Sequence, residues 1–98
     1  MRFLLILSNP RMLRHALGLA SAASDRGHEV TVFFSEESVK LLAEPGVTEG
    51  LDAEILACVT AGQYSGVKDE DLVGGARFTS LAEVVTLMEE CDRTLFLG

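Results

Sequence analysis

Two cysteines, Cys58 and Cys91, are the side chains of this sequence best suited to chemistry. A thiolate attacks sulfur or carbon, so a cysteine does nucleophilic or sulfur-transfer work where its surroundings favour the anion. Cys58 lies near the end of the run Glu54-Ile55-Leu56-Ala57-Cys58-Val59, which reads as a strand, and residues 60–64 read as a short helix. Sulfur at that junction can face the free N–H groups of the helix start, which favour negative charge by ~0.3–1 kcal/mol, and by ~2 where partly buried. Against this, no Lys or Arg follows before Lys68, and Asp69, Glu70 and Asp71 oppose an anion. A reactive thiol and an inert core cysteine at a strand end are both open readings of Cys58.

Cys91 stands three residues after Met88 and continues an apolar stripe, the pattern of a small core hydrophobe. There is no C-x-x-C and no Cys/His cluster with zinc spacing, and His15 and His28 are distant from both thiols, so neither a metal nor a cofactor is expected. His15 falls on the polar side of a helix and His28 at a turn; both read as solvated. Gly74-Gly75 lacks the G-x-x-x-x-G-K-[ST] context of a phosphate loop, and no G-x-G-x-x-G follows the first strand. Ser8, Ser35 and Ser80 read as strand-end or capping serines, and the acidic residues 69–71 as solvated surface.

Alternating elements must position these groups. Residues 2–7 form an apolar run suited to a strand covered on both faces. Residues 11–26 follow as an amphipathic helix on Leu13, Ala16, Leu17, Ala20 and Ala23, with Asn9 as N-cap, Pro10 in the first turn and Gly27 as the stop. Residues 29–34 are β-branched and aromatic, a second strand. Ser35 precedes a short helix over 36–42, ended by Glu44-Pro45-Gly46. After the third strand come a brief strand at 76–78, then a helix capped by Ser80 with Leu81, Val84, Val85 and Met88 as its apolar stripe, then a last strand at 94–97. The expected fold is a single three-layer α/β/α domain over residues 1–98 with a five-stranded, mainly parallel sheet. Ligands of such folds gather at the carboxyl ends of the strands, which makes Asn9, Ser35, Thr60, Gln63 and Tyr64 the candidate pocket around Cys58.

Composition excludes several classes. The chain has 98 residues, long enough for one core, and its 48% hydrophobic content supplies that core without a staple. Fifteen acidic residues against eight basic ones give a net charge of −7, contrary to the basic face that direct nucleic-acid binding needs. The apolar run Phe3-Leu4-Leu5-Ile6-Leu7 is far short of the ~20 residues that span a bilayer, and Ser8-Asn9-Pro10-Arg11 interrupts it before a signal-peptide core is complete. A cytoplasmic location away from membranes is the expectation.

Three segments, in order, resemble the DsrE-like family, the group of the DsrE/TusD sulfur-relay proteins. They are Gly27-His28-Glu29-Val30-Thr31-Val32-Phe33-Phe34, then residues 57–67 around Cys58 ending in Gly66-Val67, then residues 80–96 from Ser80-Leu81-Ala82-Glu83 to Leu95-Phe96. The segment after Cys58 carries Gln63-Tyr64-Ser65 where TusD-like members often have arginines. The resemblance implies a sulfur carrier or sulfurtransferase in which Cys58 accepts a persulfide sulfur and passes it to a partner cysteine, in tRNA thiolation or sulfur oxidation. It also implies sulfur-donor and sulfur-acceptor partner proteins, and assembly as a homomeric trimer or hexamer or as a hetero-oligomer. Arg11, Arg14 and Arg77 are the cations to inspect for a role beside the thiolate. The alternatives are a non-catalytic oligomeric subunit or small-ligand-binding protein with a buried, inert Cys58, and thiol-peroxidase or redox-sensor chemistry through a sulfenic acid.

Overall fold

Five strands form one sheet in the order β4-β3-β2-β1-β5, every neighbouring pair parallel, in a computed structural model describing residues 1–98. They are β1 (Arg2–Leu7), β2 (Glu29–Phe34), β3 (Glu54–Cys58), β4 (Ala76–Thr79) and β5 (Arg93–Leu97). The near-continuous apolar sequences of β1, β2 and β3 follow from burial on both faces, which parallel connections impose. Leu95, Leu5, Val32, Ile55 and Ala76 stand in one row across the sheet.

Connection order decides which face each helix covers. The steps β1 to β2, β2 to β3 and β3 to β4 run in one direction, so right-handed crossovers place α1 (Leu13–Asp25), the 3₁₀ segment Glu36–Ala43 and α2 (Val59–Ser65) on one face. The return from β4 to β5 crosses the whole sheet, and α3 (Leu81–Glu90) therefore lies on the opposite face. Side chains of β4 show the division. Phe78 backs onto Gly62 of α2, while its neighbours Arg77 and Thr79, on the other side of the pleat, hydrogen-bond Glu83 of α3. The three expected layers are present, one of them a single helix.

Leu4, Leu7, Val32, Phe34, Val39, Leu42 and Leu56 are wholly inaccessible to solvent. Each such side chain contributes about 1.5–3 kcal/mol by leaving water. That suffices for a core without cross-links, and both cysteines are free thiols. Ala16 and Ala20 bring α1 close against the sheet.

Several expectations are corrected. The apolar stripe of α3 is displaced: Val84 is buried and Leu87 and Cys91 pack on the core, whereas Leu81, Val85 and Met88 are 60%, 54% and 40% exposed. At about 100° per residue, Val84, Leu87 and Cys91 share one face, and a lone helix buries only the face that touches the sheet. Residues 36–43 form 3₁₀ rather than α turns. Glu36 starts them at φ 53°, and the buried Ser38 hydroxyl, 2.6 Å from the carbonyls of both Leu7 and Ser35, pins the segment to the end of β1. The long helix begins at Leu13, after a separate 3₁₀ turn at Pro10–Met12. His28 is half-buried rather than solvated, its ring edge-on to Phe3 with centroids 5.2 Å apart. Asp69–Asp71 are exposed, as expected, and form a further 3₁₀ turn in which the Asp71 carboxylate accepts from the Lys68 N–H at 2.9 Å.

Candidate functional site

Cys58 is the last residue of β3, its backbone still extended at φ −69° and ψ 120° when Val59 begins α2. The chain turns there because α2 must pass over the sheet to reach β4. Gly62 makes that passage possible: a Cβ on it would fall 2.5 Å from Cε1 of Phe78. Gly66, at φ 74°, ends the helix in the left-handed conformation that glycine adopts without strain.

Cys58 is 6% exposed, and its pairing with Thr79, whose hydroxyl bonds Glu83 of α3, puts its side chain on the face of the sheet covered by α3. It lines a cavity of about 280 Å³ at the carboxyl ends of β2 and β3. Ser35, Thr60 and Tyr64 line the same cavity, as the sequence suggested, together with Phe33, Glu36, Ala61 and Leu81. Asn9 and Gln63 do not line it. Asn9 lies at the end of β1, where its Oδ1 accepts from the Arg11 N–H at 3.0 Å and caps the Pro10–Met12 turn. Gln63 is exposed on α2 and does not border the cavity. Phe33 and Leu81 were missed. Phe33 lies level with Leu56, so strand alternation puts it on the pleat face of Cys58; Leu81 follows directly on the end of β4.

Electrostatics around the sulfur differ from expectation. The Cys58 side chain makes no capping hydrogen bond to the first turn of α2, and that helix has only seven residues. No Lys or Arg lines the cavity; its one charged side chain is Glu36. Arg77 is committed elsewhere, 2.8 Å from Glu83 and 3.7 Å from Glu54. That hydrogen bond to Glu83 holds the guanidinium above its ordinary range, and the same bond with that from Thr79 holds the Glu83 carboxyl below the ordinary carboxylate range. Arg11 and Arg14 are exposed and outside the cavity. Tyr64, 90% exposed, and Leu81 make an apolar rim instead.

A larger cavity, about 320 Å³, lies at the opposite, amino-terminal end of the strands and includes Cys91, Arg2, Asp52 and Glu54. Its polar groups are paired with protein: Arg2 with Glu29 at 3.2 Å, Thr31 with Glu54 at 3.3 Å, and His28 Nδ1 with the terminal amine at 2.9 Å. Burial pushes the Cys91 thiol up, against the opposing pull of Arg2. No cluster of three or more His, Cys, Asp or Glu side chains is arranged to hold a metal ion. No helix is long and apolar enough to cross a membrane.

No curated protein matches the chain in sequence. Among solved structures, the ychN protein from E. coli superposes with a TM-score of 0.78 at 15% identity, covering 99% of both chains. MTH1491 from Methanobacterium thermoautotrophicum, described as a protein of unknown function, superposes with a TM-score of 0.75 at 16% identity, covering 94% of this chain and 96% of its own. At such identities the likeness is one of fold. The profile of the DsrE/DsrF-like family matches residues 1–97, nearly the whole length over which sheet, helices and the Cys58 cavity have been described. On that match the chain belongs to the DsrE/DsrF-like family.

Proposed function

We propose that this protein is a sulfur carrier, with Cys58 accepting a persulfide sulfur from a donor protein and passing it to a partner cysteine. The observation that carries this reading is the position of Cys58, a thiol lining a cavity at the carboxyl ends of the strands, where folds of this class place their reactive groups. Loading is an exchange. The Cys58 thiolate attacks the outer sulfur of the donor persulfide, a new S–S bond forms on Cys58 and the donor S–S bond breaks. The donor leaves as a thiolate, and the thiol proton of Cys58 passes to it through solvent. Unloading is the same step with the acceptor thiolate as nucleophile, so no external oxidant or reductant is consumed. The cavity, lined by Phe33, Ala61 and Leu81 beside Cys58, has room for the added sulfur. With Glu36 as the only charged wall, the cation that favours the thiolate comes from the partner that docks over the rim. Such a carrier works in the cytoplasm, where thiols stay reduced, and as an oligomer.

Intact-mass spectrometry of native protein after exposure to a sulfane-sulfur donor tests the proposal, with Cys58→Ser as comparison. The expected result is a gain of roughly one sulfur atom per chain, reversed by reductant and absent from the variant. No uptake, together with Cys58 resistant to alkylation until the protein is unfolded, overturns it and leaves a structural subunit.

A further inference from the structure

A reactant must enter the cavity of Cys58 to meet its sulfur, and beside that cavity lies a second hollow. It measures about 160 Å³ and is lined by Glu36, Glu37, Ala61, Tyr64 and Ser65, of which Glu36, Ala61 and Tyr64 also wall the first. The two adjoin because β2 and β3 are neighbours. The 3₁₀ segment leaving β2 and the helix leaving β3 therefore start side by side at the carboxyl edge of the sheet.

Unpaired charge around the shared mouth has one sign. Glu36 and Glu37 are exposed and neither enters an ion pair; the pairs of this molecule are Arg2 with Glu29 and Arg77 with Glu54 and Glu83. No Lys or Arg lines either hollow, and Lys40, on the same 3₁₀ segment, borders neither. Tyr64, the chain's only tyrosine, stands 90% exposed where the two hollows meet. An aromatic face flanked by free carboxylates attracts an alkylammonium or guanidinium group. Glu36 also holds the one positive φ outside glycine, 53°, so an acidic side chain is kept where glycine would sit without strain.

Resting on the sulfur-carrier reading, we infer that the partner cysteine is flanked by Lys or Arg, and that this cation seats on Tyr64 between Glu36 and Glu37 while the cysteine enters the adjoining cavity. The seated cation offsets Glu36 beside Cys58, so the charge that favours a thiolate arrives with the partner. The same carboxylates repel an acidic segment or a small anionic sulfur compound, and charge thereby selects the partner.

Thiol exchange with short peptides tests this separately from sulfur loading. In a Cys91→Ser background, Cys58 of the native protein is converted by dithiodipyridine to its pyridyl disulfide. A Lys-Cys-Lys or a Glu-Cys-Glu peptide, blocked at both ends, is then added. The peptide thiolate attacks the Cys58 sulfur, a peptide–Cys58 disulfide forms, and the pyridyl sulfur leaves as thiopyridone, which takes the proton and is read by absorbance. Each rate is divided by that of the same peptide on the pyridyl disulfide of free cysteine, which removes differences in peptide reactivity.

The expected result at low salt is an advantage of about three- to tenfold for the lysine peptide, shrinking as salt rises. It falls toward unity in Glu36→Gln/Glu37→Gln, drops in Tyr64→Ser and persists in Tyr64→Phe. Glu89→Gln/Glu90→Gln, an equal change of net charge at the far end of α3, leaves it intact. Equal corrected rates, an advantage that survives Tyr64→Ser, or one that the control pair lowers as much as the Glu36 and Glu37 pair does, overturns the inference while sulfur uptake at Cys58 still decides the carrier reading. Cys58 that takes no dithiodipyridine until the protein is unfolded overturns both.

Discussion

Cys58 and Cys91 lie on the same side of the sheet at its opposite ends. Cys58 is at the carboxyl end of β3, while Cys91 shares a cavity with Glu54, the first residue of that strand. Four strand steps of about 3.3 Å separate the two levels by roughly 13 Å. A disulfide needs its Cα atoms within about 7 Å, so neither cysteine can resolve the other in the native fold. Oxidation with diamide is expected to give no intramolecular disulfide, read as chains that stay monomeric and still have Cys58 and Cys91 open to alkylation once unfolded. Cys91→Ser is expected to retain full sulfur uptake.

Charge at the cavity wall offers a second test. Replacing Glu36 by Lys exchanges the one charged lining group for a cation, which favours a thiolate beside it. Alkylation of Cys58 at neutral pH is expected to rise about three- to tenfold. An unchanged rate would mean that the side chain at position 36 does not reach the sulfur.

Glycines 62 and 18 should respond oppositely to the same substitution. A Cβ at Gly62 meets the Phe78 ring, so Gly62→Ala is expected to cost about 1–3 kcal/mol through overpacking, more than helix propensity returns. A Cβ at Gly18, inside α1, meets nothing within 4 Å, and Gly18→Ala is expected to stabilise by about 0.5–1 kcal/mol. Urea denaturation of the two variants beside wild type measures both.

Acid stability should depend on Glu83. Its carboxyl is held below the ordinary range by Arg77 and Thr79, so the unfolded chain takes up its proton first as pH falls. The stabilisation is complete above the unfolded carboxylate pKa and is lost as pH falls through the lower, folded one. The gap in Tm between wild type and Glu83→Gln is expected to be widest near neutrality and to shrink below about pH 4.

Alkaline stability should depend on Cys91 with the opposite sign. Burial raises its pKa in the folded state, so above the free-thiol range the unfolded chain loses the proton that the folded one keeps. The contribution is complete below about pH 8.5 and is lost as pH rises through the raised value. Cys91→Ala is expected to flatten this part of the Tm profile between pH 8 and 10.

Sequence alone determined the order and kind of most elements, because helix and strand periodicities are local. Ala16 and Ala20 repeat at helical spacing, and Leu4 to Leu7 form an uninterrupted apolar run; both are buried as the patterns imply. The same local logic placed Cys58 at a strand end beside Ser35, Thr60 and Tyr64. What only the tertiary structure decided depends on strand order, which no short window contains. Returning from β4 to β5 leaves α3 alone on its face, so Val84 is covered while Val85, its chemical equal one residue on, meets solvent. That return also puts β5 at an edge, leaving Phe96 exposed although its sequence reads as core. Asn9 and Ser35 both follow strands, yet only Ser35 reaches the cavity, because β2 adjoins β3 whereas β1 lies one strand further away. Arg77 could be read as a free cation until Glu54 and Glu83, distant in sequence, were brought to it by register and crossover.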